Sequence, residues 1–197
     1  MRKIIVSNLI SLDGFMAGPN GDLDWFQVGD DFNKYVEELL REVDVILFGR
    51  ITYQMMAEYW PTDAARRSDP VVAERMNGLA KVVFSRTLTR VDWENSTLVS
   101  TDIGPEIGRL KQLPGRDLVI FGSGSIVSTL LTMNLIDECR LVVNPVLLGS
   151  GKPMFAGFAD RLTLRLTDMR RFGSGSVLLS YQPASVKPQP QMNTARR

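Results

Sequence analysis

Leu118-Val119-Ile120-Phe121-Gly122-Ser123-Gly124-Ser125-Ile126 reads as a buried strand that passes through glycine into a helix start. Val45-Ile46-Leu47-Phe48-Gly49-Arg50-Ile51-Thr52-Tyr53 has the same form earlier in the chain. At such a junction glycine lets the backbone come close to a ligand and the first helical N–H groups point outward unpaired, an arrangement that holds phosphate. Two junctions can hold a dinucleotide at two points. The shared strand-glycine-helix pattern is too short to establish an internal duplication.

Outward from these stretches, residues 4–12 read as a first strand running into Asp13-Gly14 and a turn-rich loop over residues 17–22. Phe32, Tyr35, Val36, Leu39 and Leu40 recur at i, i+3, i+4, i+7 and i+8, one face of a helix that Asp30 or Asp31 is placed to cap. Thr52 to Met56 opens a second helix ended by Pro61, a polar stretch covers residues 63–69, and a helix is predicted over residues 70–79. Lys81-Val82-Val83-Phe84 is a strand ending in Ser85-Arg86, followed by a short strand at residues 97–100 and a helix at 104–113. A further helix runs over residues 125–133, and from Ile136 the chain is largely β, with residues 140–143 and 177–181 its clearest strands. The expected fold class is α/β in three layers, a central, mostly parallel mixed sheet with helices on both faces and later strands completing it in antiparallel fashion. From Pro183 three prolines and no apolar period predict a disordered tail, so the expected domain is 1–182 and the tail 183–197.

The 197 residues suit one domain. Lys and Arg number 23 against 22 Asp and Glu, and a net charge of +1 gives no global reason for nucleic acid or an anionic membrane as partner. Any anion site must be local. No apolar run approaches the ~18–20 residues that span a bilayer. Met1-Arg2-Lys3 precedes only three apolar residues, too few for a signal-peptide core, so the expected location is cytoplasmic. With one cysteine, Cys139, and no histidine, the chain lacks an internal disulfide, the usual zinc and copper ligand sets, and Ser-His-Asp or Cys-His chemistry. No carboxylate set has magnesium spacing beside a phosphate loop, and no metal is expected.

The second junction offers flexible backbone, the hydroxyls of Ser123 and Ser125, and a helix N-terminus, although Gly-Ser-Gly-Ser also makes a plain tight turn. It lacks the third glycine and the following acidic residue of a Rossmann fingerprint. The first junction adds Arg50 and Thr52, a fixed positive charge and a hydroxyl, with Arg50 open to the alternative of a surface ion pair. Ser85-Arg86 repeats the combination after another strand. A ribose phosphate monoester, as in NADPH, is suited to an arginine with a hydroxyl beside it. Gly149-Ser150-Gly151-Lys152-Pro153 lacks P-loop spacing and reads as a turn between late strands.

Ile10-Ser11-Leu12-Asp13-Gly14-Phe15-Met16-Ala17-Gly18, the two junctions, Phe84-Ser85-Arg86 and Val143-Asn144-Pro145-Val146-Leu147-Leu148-Gly149 occur in that order. In this the chain resembles the dihydrofolate-reductase-like family, in the branch of the reductase domain of the riboflavin-biosynthesis deaminase/reductase. The resemblance covers residues 1–182 and implies a bound NADPH, a small-molecule substrate and a possible homodimer. It places Gly49, Arg50 and Thr52 by the pyrophosphate and adenosine phosphate, Ser85 and Arg86 by the 2′-phosphate, and Gly122, Ser123, Gly124, Ser125 and Ile126 by the pyrophosphate. Ala17 and Gly18 match a loop closing over the nicotinamide, and Asn8 and Ser11 lie on the strand lining the substrate pocket. Trp25, Phe26 and Tyr53 are candidates to stack on a planar ring, with core packing the alternative.

The family's hydride passes to a C=N or C=O carbon of a small heterocyclic or pentose-derived substrate, in the riboflavin branch the ribosylamino group of 5-amino-6-(5-phosphoribosylamino)uracil. The zinc-dependent deaminase step is excluded by the missing histidine and cysteines. A proton completes the reduction, and Asp13, Asp24 and Asp31 are the candidate acids, against the alternatives of turn residue, loop carboxylate and helix cap. The acidic residue by which dihydrofolate reductase engages a pterin is matched only approximately by Asp30 and Asp31. The expectation is an NADPH-dependent reductase, with dihydropterin or dihydrofolate reduction as one alternative and non-catalytic nucleotide binding as another.

Overall fold

Strands that are apolar on every residue must be covered on both faces, and the alternation of side chains along such strands divides the core in two. Ile4, Val6, Val45, Leu47, Leu118 and Ile120 point to one cluster, while Ile5, Ile46, Phe48 and Val119 point to the other. The computed structural model describes residues 1–158 and 161–184. Its elements in chain order are β1 (Ile4–Ser11), β2 (Phe15–Ala17), α1 (Asp30–Glu42), β3 (Val43–Gly49), α2 (Arg50–Tyr59), α3 (Asp63–Ser68), α4 (Pro70–Gly78), β4 (Ala80–Phe84) and β5 (Ser96–Val99). Then follow α5 (Ile103–Gln112), β6 (Asp117–Phe121), α6 (Gly124–Thr132), β7 (Glu138–Asn144), β8 (Lys152–Pro153), β9 (Leu164–Arg171) and β10 (Val177–Pro183).

Eight strands form one sheet in the order β5-β4-β3-β6-β1-β7-β10-β9. Helices α5 and α6 cover the first cluster, through Ile107, Leu110, Val127 and Leu130, and α1, α2 and α4 cover the second, through Leu39, Leu40, Tyr53 and Met76. This is the three-layer α/β arrangement expected. Among the described residues no helix is long and apolar enough to cross a membrane.

Several local expectations need correction. The strand at residues 140–143, read as part of an antiparallel completion, lies in β7 and runs parallel to β1, because α6 carries the chain back across the sheet. Reversal begins only at β10, antiparallel to both β7 and β9. Lys152 is not a turn residue: with Pro153 it forms β8, which pairs with β2 in a separate ribbon. Residues 63–68 form α3, whose first turn Thr62 caps by accepting from the Ala65 N–H at 3.2 Å. Neither Asp30 nor Asp31 is the N-cap of α1; extended Gly29 takes that position and both aspartates fall in the first turn. Pro183, the expected start of the tail, closes β10, the Ala184 N–H donates to the Thr163 carbonyl at 2.9 Å, and residues 185–197 of that expected tail lie outside the described residues.

Leu118 is fully buried on β6, between β3 and β1. Leu118→Ala should lower stability by about 2–5 kcal/mol, read as a shift of the denaturant midpoint at unchanged slope. A cost within ~0.5 kcal/mol would contradict a packed position there.

Candidate functional site

The parallel strands β1, β3, β4, β6 and β7 end along one edge of the sheet, at Ser11, Gly49, Phe84, Phe121 and Asn144. Because β3 and β6 are neighbours, the two glycine junctions meet. The Gly49 N–H donates to Ser123 Oγ at 2.6 Å. Ser123 in turn donates twice to Thr52 Oγ1, from its backbone N–H at 3.1 Å and from its hydroxyl at 3.2 Å. Gly122 lies at φ +66, where a Cβ would stand 2.8 Å from Thr52 Oγ1 and Cγ2, so this position accepts only glycine without rearrangement. Its N–H donates to Asn8 Oδ1, and Asn8 Nδ2 lies 3.1 Å from Met154 Sδ. Asn8, a candidate for substrate contact, thus spends its buried amide on holding β1, the β6 junction and the segment after β8 together.

Among the described residues no side chain caps α2 or α6, in contrast to α3 and α4, which Thr62 and Asp69 cap. At α6 the N–H groups of Ile126 and Val127 both turn back to the Ser123 carbonyl, at 2.9 and 3.1 Å. The first-turn donors of α2 and those of Gly124 and Ser125 remain without a capping side chain, an anion-binding geometry. Arg50 stands exposed at the start of α2, with Gln54 Oε1 at 3.4 Å. One strand over, Arg86 is exposed and meets Asp102 at 3.5 Å, a solvent-screened pair of little energetic consequence. Ser85 Oγ accepts from the N–H groups of Thr87 and Leu88 at 3.2 and 3.0 Å, which fixes the turn carrying Arg86.

The β2–β8 ribbon lies against the start of α6. A Cβ on Gly124 would come within 3.1 Å of Met16 Sδ and 3.3 Å of the Met154 carbonyl, and one on Gly151 would strike the Ala17 carbonyl at 2.2 Å. A Cβ on Gly18 would meet the Asp22 carboxylate. Ala17 and Gly18 therefore sit, buried, in a loop that only glycine-sized neighbours permit.

Two of the three candidate acids are engaged by backbone amides. Asp13 accepts from Ser11 Oγ at 2.6 Å, from the Leu148 N–H at 3.1 Å and from the Gly149 N–H at 2.8 Å. Asp31 accepts from the Gly173 N–H and from the N–H of Phe32. These bonds hold both carboxyls below the usual carboxylate range, for Asp13 led by Ser11 and for Asp31 by Gly173. Asp24 is exposed in the loop before α1. Ser11 also accepts from the Phe15 N–H at 2.9 Å, so its hydroxyl shapes the same turn.

The stacking candidates separate. Tyr53 is core, packed with Phe48 and Trp93 and accepting from the Trp93 N–H at 3.0 Å. Trp25 and Phe26 meet edge to face at 4.5 Å in the loop ahead of α1, with Trp25 Nε1 donating to the Asp22 carbonyl at 3.1 Å. One residue without an assigned role proves central: Asn144, fully buried at the end of β7. Its Oδ1 accepts from the Gln27 N–H at 2.8 Å and from Ser176 Oγ at 3.2 Å, while Nδ2 donates to the Ile10 and Val142 carbonyls. A polar residue closing an apolar strand ahead of proline was its one sequence signal.

Residues 2–178 match the family model for the RibD C-terminal domain. Over 180 residues the chain is 33% identical to the uncharacterized protein YyaP of Bacillus subtilis strain 168, covering 91% of this chain and 94% of that one. The fold is similar to that of a Shewanella sp. PV-4 protein provisionally assigned to riboflavin biosynthesis, with a TM-score of 0.71, 24% identity, and coverage of 92% of this chain and 99% of that one. It is also similar to the Thermotoga maritima diaminohydroxyphosphoribosylaminopyrimidine deaminase/5-amino-6-(5-phosphoribosylamino)uracil reductase, with a TM-score of 0.69 and 16% identity. That likeness covers 93% of this chain but 57% of the Thermotoga protein. Both structural likenesses are likenesses of fold.

The Asp13 bonds give a pH signature. A carboxyl whose folded pKa is depressed contributes stability above the ordinary carboxylate range, and that contribution is lost as pH falls through the folded value. Asp13→Asn removes the negative charge and one of the two acceptor oxygens shared among Ser11, Leu148 and Gly149, and should lower the Tm at neutral pH. The gap from the parent should close between about pH 5 and pH 2. A gap of equal size at both ends would show that ionisation of Asp13 is irrelevant.

Proposed function

The chain belongs to the RibD C-terminal domain family, and on that footing we propose that it is an NADPH-dependent reductase acting on a C=N or C=O carbon of a small heterocyclic or pentose-derived acceptor. The observation that carries this reading is the pair of bonded, uncapped helix starts with Arg50 and Arg86 on adjacent strand ends. The residues present fit the cofactor: glycines at 49, 122 and 124 keep the backbone bare where the helix N–H groups emerge, and two loosely engaged arginines supply local positive charge. Arg50, Thr52 and residues 122–126 would hold the pyrophosphate, and Ser85 with Arg86 the 2′-phosphate. When bound, NADPH supplies the hydride.

The chain's own part is positioning. Ser123 and Thr52 fix the two helix starts relative to each other, and Asn8 ties them to β1, whose end turns into the loop carrying Asp13. The β2–β8 ribbon screens the start of α6 from solvent on one side. In this reading Asp13 and Asp31, as acceptors of backbone N–H groups, shape the loops, and the proton is left to Asp24 or water. Dihydropterin reduction remains the alternative acceptor chemistry, and non-catalytic NADPH binding the alternative of another class.

Arg86→Ala should weaken NADPH by about tenfold or more and NADH much less, since the 2′-phosphate is the difference between them. Titration of protein fluorescence with each cofactor measures this, and equal losses would remove Arg86 from the phosphate. Loss of NADPH absorbance over a panel of pyrimidine, pterin and carbonyl acceptors tests catalysis, and binding without turnover across the panel would favour the non-catalytic reading.

We also propose a homodimer through β9, one of the two outer edges of the sheet, where Leu166 and Met169 are exposed at 49% and 65%. Light scattering should give twice the chain mass, and Met169→Lys should shift it to the monomer. A monomeric parent would end this proposal.

A further inference from the structure

We propose that the acceptor reduced at this site carries no phosphate ester: it is an uncharged heterocycle or nucleoside, in contrast to the phosphoribosyl compound in the name of the Thermotoga relative. This inference rests on the reductase reading above. The sheet order fixes the geometry. The proposed cofactor residues follow β4, β3 and β6, and the next strands along the same edge are β1, β7 and β10. Contact of Gly124 with Met16 and Met154 marks the boundary, so the acceptor lies on the β1-β7-β10 side.

Three segments rim that side: residues 12–29 with the first turn of α1, residues 145–151, and residues 172–176. Between Lys3 and Lys34 there is no lysine or arginine, but there are Asp13, Asp22, Asp24, Asp30 and Asp31. Residues 145–151 and 172–176 carry no charged side chain. Four cations flank this rim, and of these Arg170 is the one with an ion pair among the described residues; Lys152, Lys34 and Arg171 stand just outside the three segments. Arg170 pairs with Glu38 at 2.9 Å and lies over the Phe172 ring. The Lys152 ammonium rests 3.5 Å from where a Cβ of Gly21 would stand, in the loop that holds Asp22. Lys34 stands one helical turn beyond Asp30 and Asp31. On the outermost strand, Arg171 lies beside Val177.

A second observation is independent of the count of charges. Backbone amides in tight loops are the other means of holding a phosphate. Here the protein's own carboxylates occupy them: Asp13 takes the N–H groups of Leu148 and Gly149, and Asp31 takes that of Gly173. To use those amides an incoming phosphate would have to displace a bonded carboxylate and then lie against its charge. The acceptor side has its anions built in, and the cofactor side has its amides and arginines open.

The test uses the full chain saturated with NADP+, which fills the proposed cofactor subsites. Ribose 5-phosphate and inorganic phosphate are titrated to concentrations of order 10 mM, enough to occupy a site of millimolar affinity, while the amide signals of residues 12–33, 148–149 and 173–176 are followed. No saturable shift is expected, and a saturable shift in those amides overturns the proposal. In a second arm, 5-amino-6-(ribosylamino)uracil and its 5′-phosphate are compared as acceptors. A kcat/KM about tenfold or more in favour of the unphosphorylated form supports the proposal, and equal use or the reverse preference overturns it. With neither turned over, the titration alone decides. Failure of NADP+ to bind at the outset would instead defeat the reductase reading, and this inference with it.

Discussion

Gly49, Thr52 and Ser123 form the contact on which the functional edge depends. Three hydrogen bonds among them join the end of β3, the first turn of α2 and the turn before α6. Ser123 is in the left-handed region, φ +55, which costs a non-glycine residue about 1–2 kcal/mol. Each buried bond returns about 0.5–1.5 kcal/mol, and leaving its partners unsatisfied would cost more. The bonds therefore outweigh the strain. The two helix starts behave as one unit because neither can shift without breaking bonds to the other.

The edge divides into two kinds of anion chemistry. After β3 and β6 the helix N–H groups lack side-chain caps among the described residues, and after β3 and β4 the arginines are loosely engaged. At β1, β7 and the β9–β10 hairpin, Asp13, Asp31 and Asn144 are internal acceptors that each gather amides or hydroxyls from distant segments. The charge-assisted bonds of Asp13 and Asp31 are stronger than neutral ones such as those of Asn144, so these loops are shaped by side chains of the protein itself.

What the chain's sequence disclosed, and what it hid, follows from the range of the interactions. The junctions, the face of α1 and the central strands are periodic within a few residues, and hydrophobic period reads them directly. β2 and β8 have three and two residues, and their pairing is fixed by contacts between positions far apart in the chain. β9 is mostly exposed and shows no apolar alternation. Asp13-Gly14 looks locally like any turn; its partners Leu148 and Gly149 are 135 and 136 residues away. Tyr53 could be assigned to core packing only once Trp93 was seen to donate to it. In the same way Asp13 and Asp31 were visible as carboxylates, but their bonds depend on amides that no local pattern identifies.

The place of β6 between β3 and β1 has a consequence for synthesis. β1 has as its neighbours β6 and β7, both formed from residues beyond 116 and so made well after it. While those residues are being added, β3, β4 and β5 can pair among themselves, but Ile4, Ile5 and Val6 have no strand to join. At about 5–20 residues per second the interval lasts roughly 5–20 s, during which an apolar strand is presented at the ribosome. The nascent chain thus has a window in which a chaperone or a second nascent chain can compete for β1, and that window closes when β6 emerges.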